Sequence, residues 1–499
     1  MTEGLPQGRE KCAARCLDAL VRPVDGAWLV AFRVLFGVAM SASLLRFIAY
    51  GWVERFFVQP RFHFKYWGFE WVRAAPPDVM HALFWVLAGL ALCVAAGFLF
   101  RVAASLFVIG FAYLQLVDLT NYLNHYYLAS LLGLLLAVSP AHRSCSVDAL
   151  FRQRRQRERR AGPEGVAAAW LYLFRFQVGV VYVFAGLAKL NADWLLHAQP
   201  LGIWLAARTD LPLLGPLFAL PWAPHAMSWA GFLFDTSIVA WLLWSKTRAF
   251  AYVAVMAFHV VTRLLFPIGM FPVIMTLSAL VFFSPAWPRR WTEWLVRRRA
   301  SGARAKREAP SSGGAGRGGP AASGDVLPAR RVDVLAAPGT RRVAALALAG
   351  AYCLCQLALP LRFLFYSGNV RWDEQGMRFS WRVMVREKNG SVTFVVRNER
   401  SGRVFHVSPR HYLTPLQERE MAGQPDLILQ LSHHIRDDFA RRGLGPVEVR
   451  ADALVSLNGR PIAPLIDPDA DLARIRDGLG KASFVAPAPR RPPPRIRPI

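Results

Sequence analysis

Apolar residues in this chain are gathered into blocks, and each block is about as long as a bilayer is thick. Roughly 17 to 24 apolar residues cross the hydrocarbon core as helix, the form that satisfies every backbone N–H and C=O within one segment. The blocks predict helices near 27–50, 81–99, 102–120, 123–139, 167–189, 225–245, 249–266, 270–284 and 343–360. The fourth and eighth are short, which predicts tilt or a partly re-entrant path. No cleavable signal peptide is expected, because Met1 to Asp25 is polar and the first block is already a full span. The fold class is a polytopic α-helical membrane protein of about nine transmembrane helices. A small C-terminal α+β extracytoplasmic domain completes it.

The net charge of +27 raises the question of nucleic acid, and the placement of the charge answers it. The run Arg152-Gln153-Arg154-Arg155-Gln156-Arg157-Glu158-Arg159-Arg160 lies between apolar blocks, as does the basic stretch Arg289 to Arg307. Basic clusters beside spans are topology signals kept on the cytoplasmic side, so no nucleic-acid partner is expected. With the N-terminus (1–26) inside, nine spans put every such cluster inside. Residues 51–80, 190–224 and all after 361 then lie outside. An eight-helix membrane domain is expected at 27–288, a flexible basic cytoplasmic linker at 289–342 and a ninth span at 343–360. Residues 361–480 form the outer domain, with strands at 392–396 and 447–452 and a helix from Pro415 to Arg442. The Pro/Arg-rich tail, 481–499, is expected to be disordered. Six cysteines occur and none follows Cys355, so the outer domain holds no disulfide of its own. Cys12 and Cys16 have a zinc-like spacing without a second pair, and no metal site is read from them.

Several polar side chains interrupt the blocks or their ends: Asp118, Asn121, Asn124, His125, Gln177, Lys189, Asp235 and His259. Polar groups at membrane depth are costly and face a bundle interior or a cavity. Each also has a plainer reading. Lys189 can snorkel to the headgroups, or be held inside where burial favours its neutral amine. Asn124 can cap the helix that follows it. His125 and His259 can bond across helices, and Asp118 and Asp235 can pair with Arg or Lys for packing. Most lie near the outer ends of their helices, so they could converge on one pocket beneath the outer domain. Such a pocket would admit a lipid-soluble reactant and an external polypeptide. A transporter or membrane scaffold remains the alternative, although no inverted repeat is visible.

Longer motifs narrow this. They are Asn124-His125-Tyr126-Tyr127-Leu128, Phe184-Ala185-Gly186-Leu187-Ala188-Lys189-Leu190-Asn191-Ala192-Asp193-Trp194, Phe258-His259, and Phe266-Pro267-Ile268-Gly269-Met270-Phe271. Further on come Phe283-Ser284-Pro285-Ala286-Trp287-Pro288, then Trp372 to Val385, Gln424-Pro425-Asp426 and Leu457-Asn458-Gly459-Arg460. Together, in order from about 27 to 470, they resemble the vitamin K-dependent gamma-carboxylase family, in its bacterial branch.

The resemblance implies an enzyme that couples oxygenation of reduced vitamin K, a hydroquinone, to carboxylation of peptide glutamate. Oxygen and carbon dioxide are co-substrates, the quinol becomes an epoxide, the product is γ-carboxyglutamate, and no metal is required. The partners implied are the lipid membrane and an exported protein or peptide bearing glutamates. Lys189 matches the family's catalytic base. Asn124 would hold the quinol oxygen, His125 assist carboxylation and His259 support the site, while Met270 and Phe271 would contact the cofactor. Trp381, Arg382, Met384 and Arg386, on an expected strand from Phe379 to Arg386, would bind the glutamate substrate. The familiar animal members have two adjacent lysines where this chain has Ala188-Lys189, and an outer disulfide that the cysteines here exclude. They also continue well past the position of Asp467-Pro468, so propeptide recognition of their kind is not expected. The Arg/Ala-rich composition points to a bacterial inner membrane, where the cofactor would be phylloquinol or menaquinol. A quinol epoxidase without protein carboxylation is the nearer alternative.

Overall fold

The computed structural model describes residues 15, 18–156, 165–212, 214–307 and 340–494. A small antiparallel pair, β1 (Pro23–Asp25) and β2 (Gly165–Ala167), ties the start of the chain to the middle. The membrane part is built from α1 (Ala27–Ala49), α2 (Pro77–Ala96), α3 (Phe100–Val117), α4 (Asn124–Val138) and α5 (Ala168–Lys189). It continues with α6 (Ala223–Leu243), α7 (Arg248–Leu265), α8 (Phe271–Ser278), α9 (Trp287–Arg307) and α10 (Thr340–Leu361). Helices therefore overlie each apolar block. Among the described residues, seven are long and apolar enough to cross a membrane: α1, α2, α3, α5, α6, α7, and Val343–Phe365, which includes most of α10. The two short blocks differ. α4 has 15 residues, and the run Phe271–Phe282 meets Trp287–Arg298 at 91°.

That bend has a local cause. Pro285 and Pro288 cannot continue a helix, and the carbonyls freed at the break need donors. Arg175 of α5 supplies them, from Nε to the Val281 oxygen at 2.9 Å and from its terminal nitrogen to Phe282 and Phe283, both at 3.1 Å. Helices approach closely where glycine removes a side chain. A Cβ on Gly37 of α1 would stand 2.4 Å from the Ala91 oxygen of α2, and one on Gly186 of α5 would stand 3.0 Å from the Thr236 nitrogen of α6.

The C-terminal part is a four-stranded antiparallel sheet in the order β4-β3-β5-β6, from β3 (Lys388–Asn398), β4 (Val404–Val407), β5 (Val447–Leu457) and β6 (Ala463–Pro464). β3 and β5 pair along their whole length, Lys388 opposite Leu457 and Asn398 opposite Val447. Alternation on β5 buries Val447, Val449, Ala451, Ala453, Val455 and Leu457. The two expected strands lie within β3 and β5. The expected helix is two, α11 (Pro415–Ala422) and α12 (Pro425–Arg441), with Pro425 opening the second. Thr414 and Gln417 form a reciprocal cap at the start of α11. Phe64, Tyr66 and Leu119 of the membrane part belong to the same buried cluster as Phe394, Leu431 and Val449.

Three sequence expectations are corrected. The segment Phe379 to Arg386 is not a strand, for Phe379, Trp381 and Met384 have φ of +58°, +57° and +54°. Its aromatic residues grip α4 instead of pairing: Trp381 stacks on Tyr127, and Phe379 packs edge-on against Tyr122 and Tyr127. The basic linker does not begin at 289, because residues up to 307 continue α9; 308–339 lie outside the described residues. The tail is ordered to 494. Its carbonyls accept from Trp372 (to Ala486, 2.8 Å), Arg460 (to Arg491, 2.7 Å) and Gln199 (to Pro494, 3.3 Å). Such a chain is held by backbone acceptors, which composition does not register.

Asp193 joins the two parts. It follows α5 in the short helix Ala192–Leu195 and is 3% exposed. Arg460 grips both its oxygens at 2.7 and 2.8 Å, Asn458 donates at 2.8 Å and Arg371 lies at 3.4 Å. Burial pushes the Asp193 carboxyl up, but the Arg460 hydrogen bonds, the Arg371 charge and Asn458 together hold it below the ordinary carboxylate range. A second anchor lies at Asp118, which accepts from Gln417 at 2.7 Å and meets His63 at 3.2 Å. Removing one partner of such a buried cluster leaves charges uncompensated. Asp193→Ala should therefore cost about 3–5 kcal/mol of docking free energy and open the junction to limited proteolysis. Because the folded carboxyl titrates low, this stabilisation is complete above the ordinary carboxylate range and is lost as pH falls through and below it. Proteolysis followed against pH checks both.

Candidate active site

Lys189 ends α5 and is 6% exposed, so it does not reach the headgroups. Its Nζ donates to Asp235 Oδ2 at 2.7 Å and to the Ala185 oxygen at 3.2 Å. The Trp194 ring centre lies 5.2 Å away. Gly186 allows this, since the close approach it permits brings α6 and Asp235 within reach. Trp194 is fixed in turn: its Nε1 donates to Ser228 at 2.8 Å, and its backbone N–H donates to Asn191, which caps that short helix. The motif around Lys189 thus supplies the lysine, the glycine that admits its partner and the carboxylate that anchors the C-terminal domain.

Lys189 and Asp235 face a cavity of about 390 Å³ whose other walls are mostly apolar and aromatic, among them Phe234, Phe258 and Phe271. His259 of α7 also lines it. The Nε2 of His259 lies 3.0 Å from the Tyr182 hydroxyl, and its buried Nδ1 has no partner.

Asn124 and His125, at the start of α4, face a second cavity of about 540 Å³. The Tyr122 hydroxyl orients Asn124. It accepts from the Phe379 N–H at 2.7 Å, so its own proton goes to Asn124 Oδ1 at 3.0 Å. The Asn124 amide is then turned with Nδ2 as the remaining donor. His125 is buried and its Nε2 has no partner. Gly269, at φ +60°, lies against it; a Cβ there would stand 3.4 Å from His125 Nε2.

The expected single pocket is therefore two cavities with a shared wall. Ile268, Phe271, Val383 and Met384 line both. The Phe271 ring centre stands 6.3 Å from that of His125 and 6.0 Å from that of His259. A third pocket, about 220 Å³ and polar, adjoins the second through Tyr122, Asn124, Met384 and Glu420. Arg382 and Arg386 line it. Arg386 is paired with Glu374 at 2.8 Å. Arg382 lies over the Phe363 ring at 4.1 Å, and burial, then the Arg371 charge, lowers its guanidinium to about 10. Burial raises the Glu420 carboxyl above its usual range, against the opposing charges of Arg386 and Arg419.

Two expected site residues stand elsewhere. Trp381 is fully buried on Tyr127, and Met270 packs into the membrane core at the start of α8; neither lines the three cavities described above. Asp118 belongs to the domain contact, and Gln177 accepts from Tyr352 of α10 at 2.5 Å. Among the described residues, no group of three or more His, Cys, Asp or Glu side chains is arranged to hold a metal ion.

A helical membrane bundle enclosing a lysine–aspartate pair, clamped under an α+β domain, defines a multi-pass membrane protein with its site at the junction. The HTTM domain family matches residues 21–287, and the lumenal domain of vitamin K-dependent gamma-carboxylase matches residues 341–491. The chain belongs to the HTTM family and, with both parts in place, to the vitamin K-dependent gamma-carboxylases. It is a carboxylase-like membrane protein, and the family implies dependence on vitamin K hydroquinone. No solved structure matches it.

The buried pair itself can be tested. Lys189→Met leaves Asp235 uncompensated and should destabilise the protein by about 3–5 kcal/mol, whereas the Lys189→Met, Asp235→Leu double variant should recover most of that loss. Thermal unfolding in detergent measures it, and additive losses would contradict direct pairing.

Proposed function

We propose that this protein oxygenates a reduced naphthoquinone, phylloquinol or menaquinol, to its epoxide and uses that reaction to carboxylate glutamates of an exported protein. The observation that carries the reading is Lys189, held with Asp235 in an apolar cavity one wall away from the cavity of Asn124 and His125. The first cavity fits a naphthoquinol. It is within the usual range for small-ligand sites, about 300–1,000 Å³, its walls are aromatic, and its unpartnered His259 Nδ1 suits a hydroxyl.

When bound, the quinol would supply with oxygen a base stronger than any side chain, as removal of a glutamate γ-proton requires. The residues supply the rest. Transfer of one proton along the 2.7 Å contact from Lys189 Nζ to Asp235 Oδ2 gives amine and carboxylic acid without moving net charge. An amine form of Lys189 is thereby available inside the bilayer to take a hydroxyl proton. Asn124, expected to hold the quinol oxygen, lines the second cavity and not that of Lys189, so we assign its Nδ2, with His125 Nε2, to the glutamate side, and Phe271 to the wall both cavities share. Met384 borders both reactants, with Arg382 and Arg386 on the approach from the C-terminal domain. The second cavity, roofed by α11, favours carboxylation over a quinol epoxidase alone, which needs no polypeptide entrance.

Purified protein in nanodiscs should convert reduced vitamin K to epoxide and fix labelled bicarbonate into a glutamate peptide. Lys189→Ala should abolish both, and Lys189→Arg should not restore them because guanidinium stays protonated. His125→Ala should reduce fixed label more than epoxide; equal loss would overturn its role. Epoxide without label in the intact protein would select the epoxidase reading. Orientation is checked separately. We place the N-terminus in the bacterial cytoplasm and the C-terminal domain outside, so a cysteine at exposed Ser401 should react with an impermeant thiol reagent on whole cells.

A further inference from the structure

The second cavity holds a cation that the reading above leaves without a role. Arg46 stands in the last turn of α1 and lines that cavity with Asn124, His125 and Glu420. Its Nε is shut from solvent without a hydrogen-bond partner. The Trp52 ring lies against it, 5.2 Å from Cζ to the ring centre. Among the described residues it forms no ion pair.

Three other arginines within the spans are committed to backbone. Arg33 donates to Ala141 and Cys145, both at 2.7 Å, Arg101 to Ala137 at 2.6 Å, and Arg175 to the bend after α8. In the polar pocket Arg378 pairs with Asp426 at 2.5 Å and Arg386 with Glu374, while Arg382, over the Phe363 ring and like Arg46 without a partner at Nε, lines the third pocket and not the second. A guanidinium kept at a cavity wall without an anion is costly unless an anion arrives. Its planar fork matches the two oxygens of a carboxylate. Glu420, the carboxyl lining the same cavity, makes no ion pair with it, and burial favours its protonated form, which weakens it as a competing anion.

We propose that Arg46 binds the side-chain carboxylate of the peptide glutamate in the second cavity, an inference that rests on the carboxylase reading. Leu416, Arg419 and Glu420 of α11 line the same cavity and form the rim through which the peptide enters. Arg46 holds the carboxylate from the α1 side, and Asn124 and His125 line the same cavity from α4. Arginine selects glutamate over glutamine there because the amide offers one acceptor and brings no charge.

Equilibrium binding to the full chain in nanodiscs tests this without requiring turnover. A glutamate peptide should bind at least about tenfold tighter than its glutamine twin, the scale of one charge-assisted contact. Arg46→Met should weaken the glutamate peptide to the level of the glutamine one, and Arg46→Lys should keep part of the difference. Should Arg46→Met not yield monodisperse protein, Arg46→Lys and Arg46→Gln decide by the same ratio. Full discrimination in these variants, or none in the intact chain, overturns the proposal. Discs of phosphatidylcholine, with and without phosphatidylglycerol, separate peptide carboxylate from lipid phosphate. Discrimination that persists with the anionic lipid supports the proposal, and its disappearance assigns Arg46 to headgroups. Failure of the carboxylase reading would show differently, as glutamate binding intact with no label fixed.

Discussion

Asp193 is the point on which the arrangement turns. Its carboxylate is buried, and three side chains of the C-terminal part meet it: Arg460, Asn458 and Arg371. Asp193 lies four residues after Lys189, so the domain is fastened beside the lysine that defines the site. The same fastening brings Val383 and Met384 over both cavities and α11 over the second. Without it, the roof over the cavities would rest on the Asp118 contact and the shared apolar cluster alone.

Lys189 and Asp235 are costly in the same physical sense. Burying an ion pair removes two charges from water, and their attraction rarely repays more than that cost. Gly186 shows how the helices accommodate it, since any larger residue would press on the backbone of α6. Apolar residues at both positions would pack these helices with less strain. Retaining the pair fits chemistry that needs a proton moved where water is scarce, and Phe271, beside both His125 and His259, lies on the wall across which the two reactants must meet.

Much of the fold was legible because bilayer length and β alternation are local signals. The long spans, β3 and β5 follow directly from them. The 91° bend was visible only as a short block followed by Pro285 and Pro288, since the donor that satisfies its freed carbonyls is Arg175, more than a hundred residues away. Phe379 to Arg386 reads as a strand by composition; its three left-handed residues come from packing on α4, which no local pattern encodes. At the site, Lys189, Asn124, His125 and His259 carried motif signals. Arg46 carried none, because an arginine at the end of a span looks like any boundary charge until a cavity shows what it faces. Trp381 was expected at the substrate, but its ring is spent on Tyr127.

Phe64, Tyr66 and Leu119 complete the interior of the C-terminal domain. The loop before α2 and the turn after α3 therefore act as part of a domain translated hundreds of residues later. Part of that domain's core is thus supplied by the membrane part, whose aromatic side chains are made before the strands that cover them. Biogenesis must then run in one order: insertion of the early helices first, with the last-made strands folding against a surface already waiting at the membrane. Quality control in the cell would meet a half-covered aromatic face for the whole interval between.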